Sequence, residues 1–188
     1  MPRGTDTRQR ILRLAREHLQ RAGFHGFSFR TLASALDIKS AAVHYHFPSK
    51  ADLGTALVDQ LRRDFQRWAA EVDGRGGGAG ARLAAFFELH EKMLENNGLS
   101  GFGVLESEYG TLPERVQAEV RILGAEIHGW LARTLRQGVQ EGALRFPGDP
   151  DDQALVVGAT VQGAMRIARV FGSERFRAAV GQLHRLLK

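Results

Sequence analysis

The chain has 188 residues, a length that suits one large domain or a small domain joined to a larger one. Hydrophobic residues make up 43% and charged residues 25%, which is the composition of an ordinary globular protein. There is no cysteine, which excludes disulfides, thiolate chemistry and cysteine-based zinc sites. The N-terminus lacks the apolar region of a signal peptide and no apolar run is long enough to span a bilayer, so we expect a cytoplasmic protein without a membrane partner.

Positive charge is concentrated in the N-terminal quarter of the chain. The net charge is +5, and residues 1–50 hold nine Lys and Arg against three Asp and Glu. Residues 71–188 hold 14 basic and 15 acidic side chains, so they are close to neutral. This asymmetry predicts a polyanionic partner for the N-terminal segment alone.

Four helices are predicted in the first part of the chain. Asp6 or Thr7 can cap an amphipathic helix that Gly23 ends, and Ser28 can cap a short second helix. A third short helix is predicted at about 40–45. The Pro48–Ser49 pair then suits the start of a long fourth helix, and the run "DGRGGGAGA" at 73–81 predicts a flexible joint.

The rest of the chain reads as helical as well. The predicted helices are at about 82–96, 99–109, 113–141, 151–171 and 173–187. Breaks are expected at Asn97, Gly98, Gly110, Gly142 and Gly172. Because no alternating strand pattern occurs, we predict an all-α fold of about nine helices. We expect a DNA-binding domain at 1–50, a connecting helix at 51–72 and a further domain at 82–188.

The second and third predicted helices match the helix-turn-helix unit, which inserts its second helix into the major groove of DNA. Their apolar side chains would share a core: Leu32, Ala33, Leu36, Ile38, Val43 and Phe47. The side chains left over would face DNA or its backbone: Lys39, Ser40, Ala41, Ala42, His44 and Tyr45. Alanines allow close approach and can touch a thymine methyl group, while a lysine can donate to guanine or to phosphate.

Further side chains around this unit are expected to hold DNA phosphates: Arg8, Thr31, Tyr45, His46 and Lys50. The positive N-terminal ends of the second and fourth helices would assist them. The His-x-His spacing of His44 and His46 could also hold a metal ion. Without cysteine or an adjacent carboxylate we expect no metal there.

The stretch from Arg8 to Leu61 resembles the DNA-binding domain of TetR-type transcriptional regulators. The resemblance lies in "ILRLAREHLQRAGFHGFSFRTLASAL" followed by "KSAAVHYHFPSKADL". It implies an N-terminal three-helix helix-turn-helix domain, followed by a C-terminal helical bundle for ligand binding and dimerisation. Asp37 replaces the glycine common in that turn, and His44 stands where the family usually has tyrosine. Aspartate tolerates the left-handed conformation, so the first departure is mild.

The C-terminal helices mix polar and aromatic side chains with apolar ones. Helix bundles build ligand cavities between such faces, and the resemblance implies a small effector that releases DNA. The candidate effector-binding residues are Phe86, His90, Phe102, Leu105, Glu106, Tyr109, His128, Trp130 and Met165. For each residue, an ordinary place in the core or on the surface is the alternative.

A homodimer through the last two predicted helices is expected, because nothing is left within one chain to cover their apolar faces. The residues concerned are Leu155, Val156, Ala159, Val170, Phe176, Val180, Leu183 and Leu187. Two helices from each subunit would form a four-helix interface.

The sequence therefore predicts a ligand-responsive repressor that binds a palindromic operator in double-stranded DNA as a dimer and leaves it when an effector binds. An activator of the same fold and an architectural DNA-binding protein are the alternatives. We expect no cofactor, no catalytic residues and no enzyme activity, because neither H-E-x-x-H nor E-x-x-H occurs.

Overall fold

The protein is all-α, as the sequence predicted. The structure, a computed structural model, describes residues 3–95 and 98–188, with side chains from Asp6 onward. Over these residues it contains nine α-helices and no strand, which confirms the predicted fold class. The helices are α1 (Arg3–Ala22), α2 (Phe29–Ala35), α3 (Ser40–His46), α4 (Lys50–Gly74), α5 (Gly78–Glu95), α6 (Gly101–Ser107), α7 (Glu114–Gln140), α8 (Pro150–Phe171) and α9 (Ser173–Leu186), with a 3₁₀-helix at Tyr109–Thr111.

The chain forms two compact units. Unit 1 comprises Met1–Arg63 and Gly101–Leu123, and unit 2 comprises Asp64–Ser100 and Gly124–Lys188. This division differs from the expected segments 1–50, 51–72 and 82–188. The reason is the length of α4 and α7, since the first part of each helix belongs to unit 1 and the rest to unit 2.

The core of unit 1 begins with the amphipathic face of α1. Its apolar positions recur at helical spacing and are buried: Ile11, Leu12, Ala15 and Leu19. α1 ends because Gly23 adopts a left-handed φ of 83°, and its N–H donates to the Leu19 carbonyl at 3.0 Å. Four of the six residues predicted to share the helix-turn-helix core are buried, whereas Leu36 and Ile38 are half-buried.

The turn between α2 and α3 depends on Asp37, whose φ is 53°. The N–H of Asp37 donates to the Ser34 carbonyl, and the N–H of Ile38 donates to the Ala33 carbonyl at 3.0 Å. These two bonds satisfy carbonyls that the end of α2 leaves unpaired. Aspartate thus takes a left-handed position, which its short polar side chain tolerates.

Replacing Asp37 by glycine should stabilise the protein. The left-handed conformation costs an L-residue about 1 kcal/mol, and glycine is free of that cost. We expect Asp37→Gly to raise the free energy of unfolding by up to about 1 kcal/mol, and Asp37→Val to lower it by about 1–3 kcal/mol. Chemical denaturation of the three proteins measures both changes. Equal stability of the glycine and valine variants would contradict the role of this turn.

The glycine-rich run at 73–81 is mostly helical, so the predicted flexible joint is wrong for most of its length. α4 continues to Gly74 and α5 begins at Gly78, which leaves only Arg75–Gly77 between them. Gly76, Gly77 and Gly78 have φ values of 72°, 93° and 68°, so they reverse the chain in a conformation that other residues rarely adopt. The break predicted at Asn97 lies outside the described residues.

In unit 2, α8 has two apolar faces. One is buried in the unit 2 core: Ala154, Val157, Val161, Ala164, Met165 and Ala168. The other is exposed: Leu155, Val156, Ile167, Val170 and Phe171, of which Val170 is 73% exposed. We call this second set the α8 face. Length and composition alone would also allow α8 to cross a membrane, whereas the sequence predicted no span.

The apolar face of α9 does not match the prediction made for it. Phe176, Leu183 and Leu187 were expected to lack cover within one chain, but they are buried in the unit 2 core, and Val180 packs against them. The reason is that α9 packs along α8, so one chain supplies its cover. Of the residues predicted to form the dimer interface, only those on α8 are exposed.

Candidate functional site

One side of α3 is exposed, while the other anchors the helix. Val43 and Phe47 are buried in unit 1. The opposite side carries exposed residues at positions i, i+1, i+4 and i+5, with Lys39 exposed at the N-cap. We call this set the α3 face: Lys39, Ser40, Ala41, His44 and Tyr45. Tyr45 is 83% exposed.

The other residues of α3 are half-buried. Ala42 and His46 lie between the two sides of the helix. His44, on the α3 face, meets Phe29 of α2 edge-on at a ring-centroid distance of 4.8 Å. This contact ties α2 to α3 and restricts the imidazole. Within the described residues, no group of three or more His, Asp or Glu side chains could hold a metal ion.

The predicted phosphate-binding residues already have partners in unit 1. Thr31 shares a hydrogen bond of 2.8 Å with Ser28, whose Oγ also accepts the Thr31 N–H and caps α2. Arg8 is exposed, with its guanidinium 5.1 Å from the centroid of the Phe47 ring. Both side chains remain accessible to a phosphate.

Lys50 is folded back against unit 1. Its Nζ donates to the Phe27 carbonyl at 2.6 Å and lies 5.0 Å and 4.7 Å from the Phe24 and Phe27 ring centroids. Burial lowers the pKa of Lys50, and the nearby charge of Glu108 opposes that change. A phosphate contact from Lys50 would therefore require it to leave these partners.

The start of α4 is capped by side chains. Asp52 accepts the N–H and hydroxyl of Ser49 at 3.0 and 2.6 Å, and Ser49 Oγ accepts the Asp52 N–H. The Ser49 hydroxyl holds the pKa of Asp52 below its usual value, with a smaller effect from Arg115, 3.0 Å away. The carboxylate of Asp52 therefore already offsets part of the positive helix dipole at the N-terminus of α4.

Unit 2 contains an aromatic cluster formed by Phe65, Trp68, Phe86, His90 and Trp130. The Trp68 and Trp130 rings lie 5.0 Å apart, and the Phe86 and His90 rings lie 4.5 Å apart. The indole N–H of Trp130 reaches Asp73 at 3.3 Å. Three of the predicted effector-binding residues, Phe86, His90 and Trp130, are therefore neighbours.

His90 has a fixed pattern of donor and acceptor atoms. Its Nδ1 lies 2.8 Å from the Phe86 carbonyl oxygen, which can only accept, so Nδ1 carries the proton. Nε2 of the neutral ring is then an acceptor. Burial lowers the pKa of His90 to about 4, so the ring is neutral at physiological pH.

His90 should make the protein less stable in mild acid. The unfolded chain binds a proton at His90 near the ordinary histidine pKa of 6.5, whereas the folded chain binds it only near the pKa of about 4. The unfolding free energy should thus fall as the pH falls between these values, by roughly 3 kcal/mol from this group. Denaturation of wild type and His90→Gln across this range tests it. Parallel pH profiles for the two proteins would contradict the assignment.

The remaining predicted effector-binding residues are divided between the units. Met165 is buried and His128 half-buried in unit 2, where burial lowers the pKa of His128. Unit 1 holds the others: Phe102 and Leu105 are buried, Glu106 is exposed, and the Tyr109 hydroxyl accepts from Arg121. A cavity of about 430 Å³ in unit 2 is lined by residues outside the predicted set: Leu94, Glu95, Gly98, Leu99, Ala168, Arg169, Gly172 and Ser173.

Comparison with known proteins gives a consistent result. Residues 11–57 match the profile of "Bacterial regulatory proteins, tetR family", and residues 79–182 match that of "Tetracyclin repressor-like, C-terminal domain". The transcriptional regulator AcuR of Cereibacter sphaeroides is 27% identical, over 86% of this chain and 76% of its own length.

Solved structures share the whole fold. A TetR family regulator from Agrobacterium tumefaciens superposes with a TM-score of 0.95 at 30% identity, over 98% of this chain and 99% of that one. AibR in complex with isovaleryl coenzyme A and operator DNA gives a TM-score of 0.76 at 20% identity, over 96% and 97% of the two chains. With both profiles matched and the fold shared over nearly its full length, the chain belongs to the TetR family of bacterial transcriptional regulators.

Proposed function

We propose that the protein is a cytoplasmic, ligand-responsive repressor that binds a palindromic operator as a homodimer and leaves it when a small-molecule effector binds. The observation that carries the proposal is the α3 face. It joins a lysine, small side chains and an exposed tyrosine on one side of a helix whose other side is anchored by Val43 and Phe47. This is the arrangement that a helix in the major groove requires.

The α8 face supports dimerisation. Exposure of the apolar side chains of the α8 face to water is unfavourable, and covering them with a second copy of the chain removes that cost. A two-fold dimer would present two α3 faces to two half-sites, which is why a palindrome is expected. Residues 79–182 match a profile described as tetracyclin repressor-like, and this similarity supports repression over activation.

The aromatic cluster of unit 2 is the part of the effector prediction with the most support. Phe86 and Trp130 place aromatic rings near the imidazole of His90, whose Nε2 can accept a hydrogen bond. An effector that suits this lining is neutral or weakly polar, with an apolar body and one hydrogen-bond donor. The contributions of Phe102, Leu105, Glu106, Tyr109, His128 and Met165 stay predictions. We propose no enzymatic role for these residues.

Selection from a randomised DNA library tests the DNA-binding part. The wild-type protein should enrich one palindromic sequence whose two halves are about one helical turn or slightly more apart. Binding to all duplexes alike would contradict the proposal and favour an architectural protein. A fluorescent form of the selected duplex then serves to screen small neutral compounds for release.

The proposed binding of an effector near His90 is tested with the variant His90→Gln. A compound that releases DNA from wild type should act more weakly on His90→Gln, while both proteins bind the duplex equally well without compound. Weak DNA binding by His90→Gln in the absence of any compound would instead identify His90 as part of the core only.

A further inference from the structure

The turn between α1 and α2 is held by a residue far away in the sequence. The Phe24 N–H donates to Glu108 Oε2 at 2.7 Å, and the two residues are 84 positions apart. An N–H bound to a carboxylate is stronger than a neutral hydrogen bond. The preceding Gly23 leaves space for this contact, because a Cβ there would lie 2.0 Å from Glu108 Oε1.

Lys50 holds the same turn from its other end. Its Nζ binds the Phe27 carbonyl at 2.6 Å, one residue before the Ser28 cap of α2. The charge of Glu108 stabilises the ammonium group in this half-buried place. A carboxylate and an ammonium group thus fix the two ends of the turn, Phe24 and Phe27.

A second contact connects the 3₁₀-helix after α6 with the same turn. The Thr111 hydroxyl donates to the Glu108 carbonyl at 2.8 Å, which uses its only proton. Its oxygen therefore accepts from His25 Nε2, 3.0 Å away. His25 adjoins Phe24, so two successive residues of the turn bind the segment 108–111.

We propose that Glu108 is a positioning residue for DNA binding: it fixes the α1–α2 turn and thereby the orientation of α2 and of the α3 face packed on it. The inference rests on the proposed function of the α3 face. The link from turn to face is physical, since Ser28 at the end of the turn caps α2 and Phe29 of α2 contacts His44 of α3. Glu108 lies outside the segment 11–57 that matches the N-terminal profile.

The test measures duplex affinity and stability separately. The probe is the duplex that the wild-type protein selects from a randomised library, and the variants are Glu108→Ala, Glu108→Gln and the control Glu114→Ala, an exposed glutamate of α7 in the same unit. Without the Glu108 carboxylate, each molecule spends less time in the binding-competent conformation and still reaches it when DNA binds, so Glu108→Ala should bind about 10-fold more weakly. Glu108→Gln keeps an acceptor but not the charge, so its affinity should lie between, and Glu114→Ala should match wild type.

Stoichiometric titration shows how much of each protein is active, and thermal melting reports its stability. If every Glu108→Ala molecule still binds duplex at saturation, but with a weaker affinity than wild type, the result supports Glu108 as a positioning residue. A lower melting temperature with unchanged affinity of the folded fraction would overturn it, because that is the result of a purely structural role.

Hydrogen exchange decides the case if Glu108→Ala does not fold. Amides 24–28 should exchange faster in Glu108→Gln than in wild type, together with weaker duplex binding. Unchanged exchange and unchanged binding would overturn the inference. A wild-type protein that selects no duplex would instead overturn the proposed function itself, before any variant is compared.

Discussion

Lys39→Ala is expected to weaken operator binding by roughly 5- to 150-fold, the loss of a base contact worth about 1–3 kcal/mol. Lys39 is exposed at the N-cap of α3, where its side chain makes no capping hydrogen bond. The helix should therefore form equally well without it. If the ammonium group donates to guanine, the variant should also bind altered sequences relatively better at the contacted position.

Lys92→Ala is the matched control, because it removes the same charge from an exposed position in unit 2. Fluorescence anisotropy with the selected duplex and with duplexes altered at one base pair measures both affinity and specificity. If Lys39→Ala binds as tightly as Lys92→Ala, Lys39 does not read DNA. Tyr45→Ala separates the alternatives further, since loss of a phosphate contact should lower affinity for all sequences alike.

Val170→Arg is expected to break the dimer and to reduce operator affinity by at least about 100-fold. A monomer has one α3 face and therefore loses the second contact with DNA that the dimer makes through its other subunit. Val170 is 73% exposed and belongs to the α8 face, near the C-terminal end of the helix. In a symmetric interface each substitution occurs on both subunits, so two arginines would meet apolar surface or each other.

Analytical ultracentrifugation at micromolar concentration should show a dimer for wild type and a monomer for Val170→Arg. Gln140→Arg supplies the control, since it adds the same charge at an exposed residue of α7. A monomeric wild type, or a variant that stays dimeric and binds DNA normally, would remove the α8 face from the proposed interface.

Local sequence signals predicted the helix-turn-helix region well. Gly23 and Ser28 mark helix boundaries through backbone geometry and capping, which depend only on neighbouring residues. The apolar spacing of Val43 and Phe47 likewise indicated which side of α3 is buried. These signals suffice because the end of each short helix lies within a few residues of its cause.

Long-range contacts could not be predicted in the same way. Nothing in the residues around Glu108 indicates that its carboxylate binds the Phe24 amide, 84 positions earlier. The apolar spacing of α9 predicted a buried side but not whether its own chain or a partner covers it, and α8 covers Phe176 and Leu183. The division of α4 between two units also depends on packing that periodicity does not describe.

The proposed function requires that α3 enters the major groove of two symmetric half-sites. Because the chain has no cysteine, a single Ala41→Cys substitution can carry one iron–EDTA chelate per subunit. On the selected duplex, we expect two symmetric cuts in the major groove, about one helical turn apart. The same chelate on Gln140→Cys should give neither cut. Absence of cleavage from position 41, or cleavage without fixed position along the duplex, would contradict the placement of α3 in the major groove.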